Sequence, residues 1–437
     1  MPGIPRVRDP YRELRTMKSL FISSLFVMCS VVCMAQTQRP TQQPSTPPVN
    51  PSPSGSATQT GPTARKQGWS YDPDAGMVFQ HGDFKWTSWG YGEHVFRPEG
   101  NGFWRRVRQG MEFDLPRFTP HYRSAVVYEV DFTDTNFFRD RSKLNIVENL
   151  FVTIQDAEDP GKLRFIFGEN LHILSREDGL SSGNLPTINR SLILEEHGSV
   201  RTFGTQFGLQ FMKALSPRYV IAISTQDNRG SLNTTNPRYV VGNDVAAKGT
   251  ALFLNSPKDH RSLLLGAAID HTRDIRNGTW TFISAVAGQG VGTAPASGNK
   301  LTAEGDITFT ARAGNHPYTV ESEHIYSNFS KARTNVAGGY GQAQFSLFDT
   351  IRAGDLDPFV RYDWVRFSSN QLAPPIFQRA LRTGINWNLP YTHKFANFHL
   401  EYARNSIVGP ALLIPSTKAF NELGLELRFS AIRYVRH

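Results

Sequence analysis

The 437-residue chain has two cysteines, Cys29 and Cys33, and both lie in one apolar run near its N-terminus. Everything after residue 35 is free of thiols. That excludes disulfides, cysteine nucleophiles and Cys-based metal sites from the remainder. It also suits an oxidising compartment, where a thiol-free chain risks no misplaced disulfide. Beyond that first run, no stretch approaches the ~18 apolar residues that a spanning helix needs. No dense Lys/Arg block appears, and a net charge of +9 is mild for this length, so nucleic-acid binding has no footprint. Enzyme motifs are missing too: there is no Gly-x-Ser-x-Gly, no His-Glu-x-x-His and no phosphate loop. The run Gly288-Gln289-Gly290-Val291-Gly292 does not open a helix and reads as a loop. The 12 histidines are scattered without metal-ligand spacing. No cofactor, no metal and no catalytic residue are expected.

What the chain does have is alternation. From near Arg105 to the C-terminus, apolar and polar residues alternate in stretches of roughly the 9–11 residues that a tilted strand needs to cross a bilayer. The last reads Glu422-Leu423-Gly424-Leu425-Glu426-Leu427-Arg428-Phe429, with Leu and Phe on one face and Gly, Glu and Arg on the other. A period of two sorts residues onto opposite faces of a strand. Sixteen candidate strands follow, the first at 105–115, the ninth at 279–288 and the last at 421–430. Short connections such as Phe118–Arg123, Asp156–Gly161 and Ala313–Pro317 carry Pro, Gly or Asp, as tight turns require. Longer ones fall at Gly168–Arg201, Asn228–Lys248, Gly288–Thr302, Ser368–Arg379 and Asn405–Phe420. This is the pattern of an all-β, transmembrane antiparallel β-barrel of about sixteen strands, apolar outside and polar inside.

The N-terminus supplies an address. Lys18 precedes the apolar run Leu20–Ala35, which ends Cys33-Met34-Ala35, a small-x-small cleavage pattern. Residues 1–35 read as a secretory signal, with Met17 the expected true start. Residues 36–68 are rich in Pro, Ser and Thr and read as a disordered periplasmic tether. Residues 69–104 read as an aromatic lead-in, with an extra strand or small hairpin as the alternative. The barrel is expected over 105–430, in the outer membrane of a Gram-negative bacterium and in contact with its lipid.

Strand parity places the charges. Val360, Tyr362 and Trp364 share one face, so Arg361 and Asp363 take the other. The same test points Arg106, Arg108, Glu112, Asp114, Glu129, Asp131, Arg164, Arg312, Arg382, Glu401, Glu426 and Arg428 inward. Arg or Lys on the lipid face costs roughly 2–4 kcal/mol at midplane, so the inward assignment is physically favoured. A polar interior at this strand number is an aqueous channel. Segment 169–200 mixes charges, Arg176 and Arg190 among them, with Leu and Ile. It is expected to fold into the lumen as a constriction loop, packing its apolar side chains on the wall. Guanidinium forks are natural phosphate ligands and rings of Arg make anion-selective pores. Neighbours such as Arg361/Asp363 and Glu426/Arg428 mix signs, however, and for most of these arginines a network of wall ion pairs is the favoured reading.

The chain resembles the phosphate-selective porin O and P family. The resemblance lies in Leu163-Arg164-Phe165-Ile166-Phe167-Gly168, in Asn189-Arg190-Ser191-Leu192, and in the strand Arg201–Met212 with Gly204 and Gly208. It continues at Gly339-Tyr340-Gly341-Gln342, Pro358-Phe359-Val360-Arg361-Tyr362-Asp363 and Thr383-Gly384-Ile385-Asn386-Trp387. The resemblance implies a homotrimeric porin with an inward loop, its loop arginine at Arg190 and its strand arginine at Arg361. With these, Arg176, Arg201, Arg312 and Arg382 complete the candidate pore-lining and anion-binding set. The function expected is passive diffusion of small hydrophilic solutes, with a preference for anions such as phosphate. An outer-membrane barrel enzyme and a secreted soluble β-protein for adhesion or sugar binding are the competing classes.

Overall fold

The structure is a computed structural model of the chain. It describes residues 68–430 except 73–75, 83, 97–101, 116–118, 133–146, 160, 172, 178–184, 195–204, 228–242, 276–277, 287–289, 351–353, 371, 390–395 and 411–417. The segment expected as a signal, nearly all of the one expected as a tether, and Arg201 lie outside the described residues.

The strands run in chain order. The first seven are β1 (Gly68–Asp72), β2 (Gly76–His81), β3 (Phe84–Phe96), β4 (Phe103–Asp114), β5 (Tyr122–Asp131), β6 (Val147–Asp156) and β7 (Leu163–Leu171). Next come β8 (Thr205–Ser216), β9 (Tyr219–Asp227), β10 (Asn243–Ser256), β11 (Arg261–Ile275), β12 (Thr279–Ile283), β13 (Gly290–Pro295) and β14 (Gly298–Ala313). The last are β15 (His316–Phe329), β16 (Thr334–Phe345), β17 (Phe348–Thr350), β18 (Gly354–Ser369), β19 (Leu372–Asn388), β20 (Ala396–Val408) and β21 (Lys418–Ser430). Among the described residues no helix is long and apolar enough to cross a membrane.

Every neighbouring pair in the wall is antiparallel, and β21 returns to pair with β3, Leu425 opposite Phe96 and Ser430 opposite Tyr91. The ring β3–β11, β14–β16 and β18–β21 closes a sixteen-stranded barrel. Closure removes both sheet edges, which is what permits a sheet to sit in lipid. One end carries short connections, among them 217–218, 257–260 and 314–315, together with the start of β3 and the end of β21. The opposite end carries the longest ones, with 330–333 and 370–371 as short exceptions.

The expected strand number is met, but one member differs at each of two places. The ninth expected strand, 279–288, is not in the wall: β12 and β13 form a separate two-stranded hairpin. The missing wall strand is β3, inside the segment expected as a lead-in, so the wall starts at Phe84. The hairpin β1–β2 pairs onto the start of β3. The long connection expected over Ser368–Arg379 shrinks to 370–371, because β19 begins at Leu372.

The outer face is largely apolar. Phe165, Phe167, Leu209, Phe211, Ile223, Ile307, Val320, Val360, Leu381 and Leu423 are all exposed. Exposed apolar side chains alternating with buried polar ones are the signature of a lipid-facing wall. The main apolar core lies inside the ring, towards the long-loop end. There Val95, Ile325, Phe329, Val336, Val365, Phe367, Ile376 and Ile407 of the wall pack against Leu174, Ile188, Leu192, Ile193, Trp280 and Phe282. A sheet whose outside is lipid must find its water-excluded partner within, and two inserted segments provide it.

Candidate functional site

The site is the lumen where the long connection after β7 meets the wall. Its described pieces, 173–177 and 185–194, are buried inside the barrel, so the expected inward loop is present. A loop running through a barrel leaves its backbone carbonyls without a strand partner, and each needs a donor. The wall supplies them one after another. Arg428 donates to the Leu185 carbonyl at 2.8 Å and to that of Thr187 at 3.0 Å. Asn386 donates to the Pro186 carbonyl at 3.0 Å and Arg105 to that of Ile188. Arg382 donates to Asn189 at 2.9 Å and to Arg190 at 3.1 Å. Six consecutive carbonyls, Leu185 to Arg190, are thus held by side chains of β4, β19 and β21.

Wall carboxylates complete the clamp. Glu401 accepts the Ile188 amide at 2.6 Å and binds Arg382 Nε at 2.5 Å. Glu426 binds Arg428 Nε at 2.6 Å. On the far side, Glu323 accepts the amides of Arg176 at 3.2 Å and Glu177 at 3.1 Å. Lys248 donates to the Leu174 carbonyl at 3.0 Å and lies 3.3 Å from Glu304 and 3.2 Å from Asp306.

Glu177 is the loop's own contribution. Its carboxylate takes both edges of Arg361, at 2.6 and 3.1 Å, and the Ser191 amide at 2.8 Å. Burial would raise the Glu177 pKa, but Arg361 and the Ser191 N–H outweigh it and hold the carboxyl below its ordinary range. Arg361 also donates to Asp363 at 3.0 Å and to Gln342 at 3.1 Å, with its guanidinium 3.8 Å from the Tyr340 ring centroid.

The second insert is the β12–β13 hairpin, and it meets the loop through Asn189. That amide donates to the Val286 carbonyl at 2.8 Å and the Ala285 carbonyl at 3.3 Å. The wall fixes the hairpin in return: the Ala285 amide donates to Asn405 and the Val286 amide to Glu422, both at 3.0 Å. Gly424, on the inward face of β21, makes the room. A Cβ there would stand 2.4 Å from Val286 and 2.6 Å from Ile188. Gly338 on β16 does the same beneath Ile193, at 2.8 Å.

The expected arginines therefore sort into distinct positions. Arg361, Arg382 and Arg190 come together, buried around Glu177, Asp363 and Glu401; Arg190 Nε lies 3.4 Å from the Glu177 carbonyl. Arg176 lies beside them, bound to Glu321 at 3.0 Å and to Thr308. Arg312 stands apart, exposed next to the 314–315 turn. Inward-facing charge elsewhere is balanced: Arg108 meets Asp131 at 2.8 Å and Glu129 at 3.0 Å, and Arg123 meets Glu112 and Asp114. Sequence reasoning missed Arg428, Arg105 and Asn386 as loop clamps. The inward parity of Arg428 and Asn386 was readable, whereas Arg105, one residue before the inward-pointing Arg106, turns inward only through the β-bulge opposite Glu93 and His94; the carbonyl partners of all three carry no side-chain signal. Among the described residues no cluster of His, Cys, Asp and Glu could hold a metal ion.

The closed ring, apolar outer face and inserted loop together define a transmembrane antiparallel β-barrel. No family model and no curated protein matches the sequence. Among solved structures, the chain is similar to OmpT of Vibrio cholerae in its trimer form, with a TM-score of 0.51 and 10% identity, covering 79% of this chain and 99% of that one. It is similar to the loop L8 deletion variant of the same protein, at a TM-score of 0.52 and 10% identity, over 80% of this chain and 99% of that one. It is also similar to OmpF of Salmonella typhi in complex with daunomycin, at a TM-score of 0.50 and 11% identity, over 81% of this chain and all of that one (100%). At such identities the likeness is one of fold.

Proposed function

We propose that this chain is an outer-membrane channel through which small hydrophilic solutes diffuse passively. The observation that carries the reading is the closed sixteen-stranded wall with an apolar outside and a charged inside. A barrel of that size leaves an aqueous path where a smaller one is filled by side chains. The hydrogen bonds that hold the loop run to β4, β10, β14, β15 and β18–β21. In this reading solutes pass between the loop and the inner faces of β4–β9, beside Arg106, Arg108, Arg123 and Arg164 and the carboxylates of Glu112, Asp114, Glu129 and Asp131. Four arginines against four carboxylates make a transverse field with little net sign. The anion preference is accordingly a mild one, and Arg361 and Arg382 serve it by holding the loop rather than by binding phosphate. The assembly is a homotrimer in the same reading.

Planar-bilayer recordings of the purified protein test this. Discrete conductance steps are expected, with a small reversal potential in a salt gradient. A complete lack of steps removes the channel, and a strong cation preference removes the anion bias.

A further inference from the structure

Three arginines face the wrong way for a channel wall. Arg366 on β18, Arg379 on β19 and Arg404 on β20 are exposed on the outer, lipid-facing side. The register puts Trp364 opposite Arg379 and Arg366 opposite Phe377, and Arg379 opposite Ser406 and Arg404 opposite Leu381. Each arginine is therefore a diagonal neighbour of the next, ~7–8 Å away between strands and within reach of long side chains. No guanidinium of the three has a hydrogen-bond or ion-pair partner among the described residues. The other outward-facing described residues of β18–β21 include no acid.

Their depth can be read from the register. The row Trp387, Phe398, Leu427, His94, Trp104 starts beside the short-turn end of β19 and finishes beside the long-loop end of β4. Rows of paired residues thus climb towards the long-loop end from β18 to β20. Arg404 sits one same-face step lower along its strand than Arg379 but one strand further up the climb; Arg366 is offset the opposite way on both counts. The three come level. Arg379 is eight residues from Trp387 on the same face of β19, ~27 Å along the strand and ~20 Å along the membrane normal at ~40° tilt. The apolar band of such barrels is ~25 Å tall, so the arginines stand near its far edge, in the outer leaflet. The connection above Arg366 and Arg379 is only 370–371, which leaves headgroups room to approach.

We propose that Arg366, Arg379 and Arg404 form a binding site for the phosphate groups of an anionic outer-leaflet glycolipid. Lipid-facing arginines are costly at midplane and tolerated near the interface, and desolvated ones need anionic partners. A guanidinium takes a phosphate bidentately, and three of them level on adjacent strands can meet one or two phosphates on a single headgroup. Trp364 and Tyr402, half-buried and exposed beside them, offer rings at headgroup depth. The site rests on the outer-membrane placement and is independent of conduction.

The experiment is native mass spectrometry of the folded, detergent-purified protein titrated with bis-phosphorylated lipid A, with enzymatically dephosphorylated lipid A, and with inorganic phosphate. The wild type should retain the phosphorylated lipid on the order of tenfold more tightly than the triple variant R366Q/R379Q/R404Q, a difference typical of lost charge-assisted bonds. Arg→Lys at all three positions should recover part of it. Dephosphorylated lipid should bind both proteins alike and weakly, and inorganic phosphate should not displace the lipid at equal concentration. Equal retention by wild type and triple variant overturns the proposal, as does indifference to the lipid phosphates or ready displacement by inorganic phosphate. A change in protomer number with lipid binding unaltered overturns it in favour of a second copy on this face. Heat-modifiable migration confirms folding; if the triple variant lacks it, Arg404→Gln alone is read against the same criteria. Bilayer conductance, measured in parallel, reports on the channel separately.

Discussion

Arg361 of β18 and Glu177 of the inserted loop meet through two parallel hydrogen bonds, Nη1 to Oε1 at 2.6 Å and Nη2 to Oε2 at 3.1 Å, with both side chains closed to solvent. The pair joins positions 184 residues apart. It converts a loop that could lie across the mouth into one fastened to the wall. A residue expected as a solute ligand is thereby a structural clamp, which follows from burial: a desolvated guanidinium without a carboxylate would be far too costly.

Replacing Glu177 by Gln should loosen the loop. Losing one partner of a buried pair typically costs about 3–5 kcal/mol, here locally, because Arg361 keeps Asp363. The expected result in bilayers is a noisier and larger conductance, and in gels a lower temperature for the heat-modifiable shift. The double change Glu177→Leu with Arg361→Met should restore much of the lost stability, since apolar isosteres of a buried pair are often neutral. Additive losses in the double variant would show that the two side chains act separately.

The same pair gives a pH dependence with a definite sign. Glu177 is held below its ordinary value, so its contribution is fully present above the unfolded carboxylate pKa of about 4.3 and is lost as pH falls through the lower, folded value. Conductance noise should stay constant from neutral pH through the ordinary carboxylate range and rise only below it. Glu177→Gln should show the noisy state at neutral pH. Loosening already near pH 6 in the wild type would assign the transition to another group.

The barrel was readable in the sequence because lipid enforces a rule: outward residues are apolar, and charges such as Arg361, Asp363, Glu401 and Arg428 must turn inward. Where the rule is suspended, reading failed. β3 was passed over because both of its faces are mixed, with Thr87 and Glu93 buried on the inward side and Phe84 and Phe96 exposed on the outward side. Its outward residues include Ser88, Gly90, Gly92 and His94, whereas Trp89, Tyr91 and Val95 point inward and are buried, Trp89 beside Val127, Phe151 and Ile166. The hairpin strand Thr279–Ile283 alternates like a wall strand, yet Trp280 and Phe282 pack inside the lumen. The clamp over Leu185–Arg190 was hidden for another reason: its acceptors are backbone carbonyls, identical at every position.

Gly424 records the insert within the wall. Gly424→Val should push Val286 and Ile188 away from β21, and overpacking of this kind costs typically about 1–3 kcal/mol. The heat-modifiable shift should move to lower temperature and protease should cut the β12–β13 hairpin sooner. Gly341→Val on β16, where a Cβ meets nothing within 4 Å, is the control and should leave both unchanged. Equal effects of the two substitutions would separate the glycine from the packing of the insert.

Arg108 tests where solutes run. It binds both Glu129 and Asp131, at 3.0 and 2.8 Å, on the stretch of inner wall proposed to face the path. Arg108→Gln removes one positive charge and strips both carboxylates of that partner, so the balanced field turns negative there. Reversal potentials should move towards cation preference by several-fold in permeability ratio, an effect that shrinks as salt rises because the charges are partly exposed to screening. Arg361→Gln, by contrast, should alter noise and stability with little change in reversal potential, because its charge is already enclosed by Glu177 and Asp363. If Arg361→Gln shifts selectivity more than Arg108→Gln does, solutes pass on the clamp side of the loop, and the buried cluster is part of the conduction path.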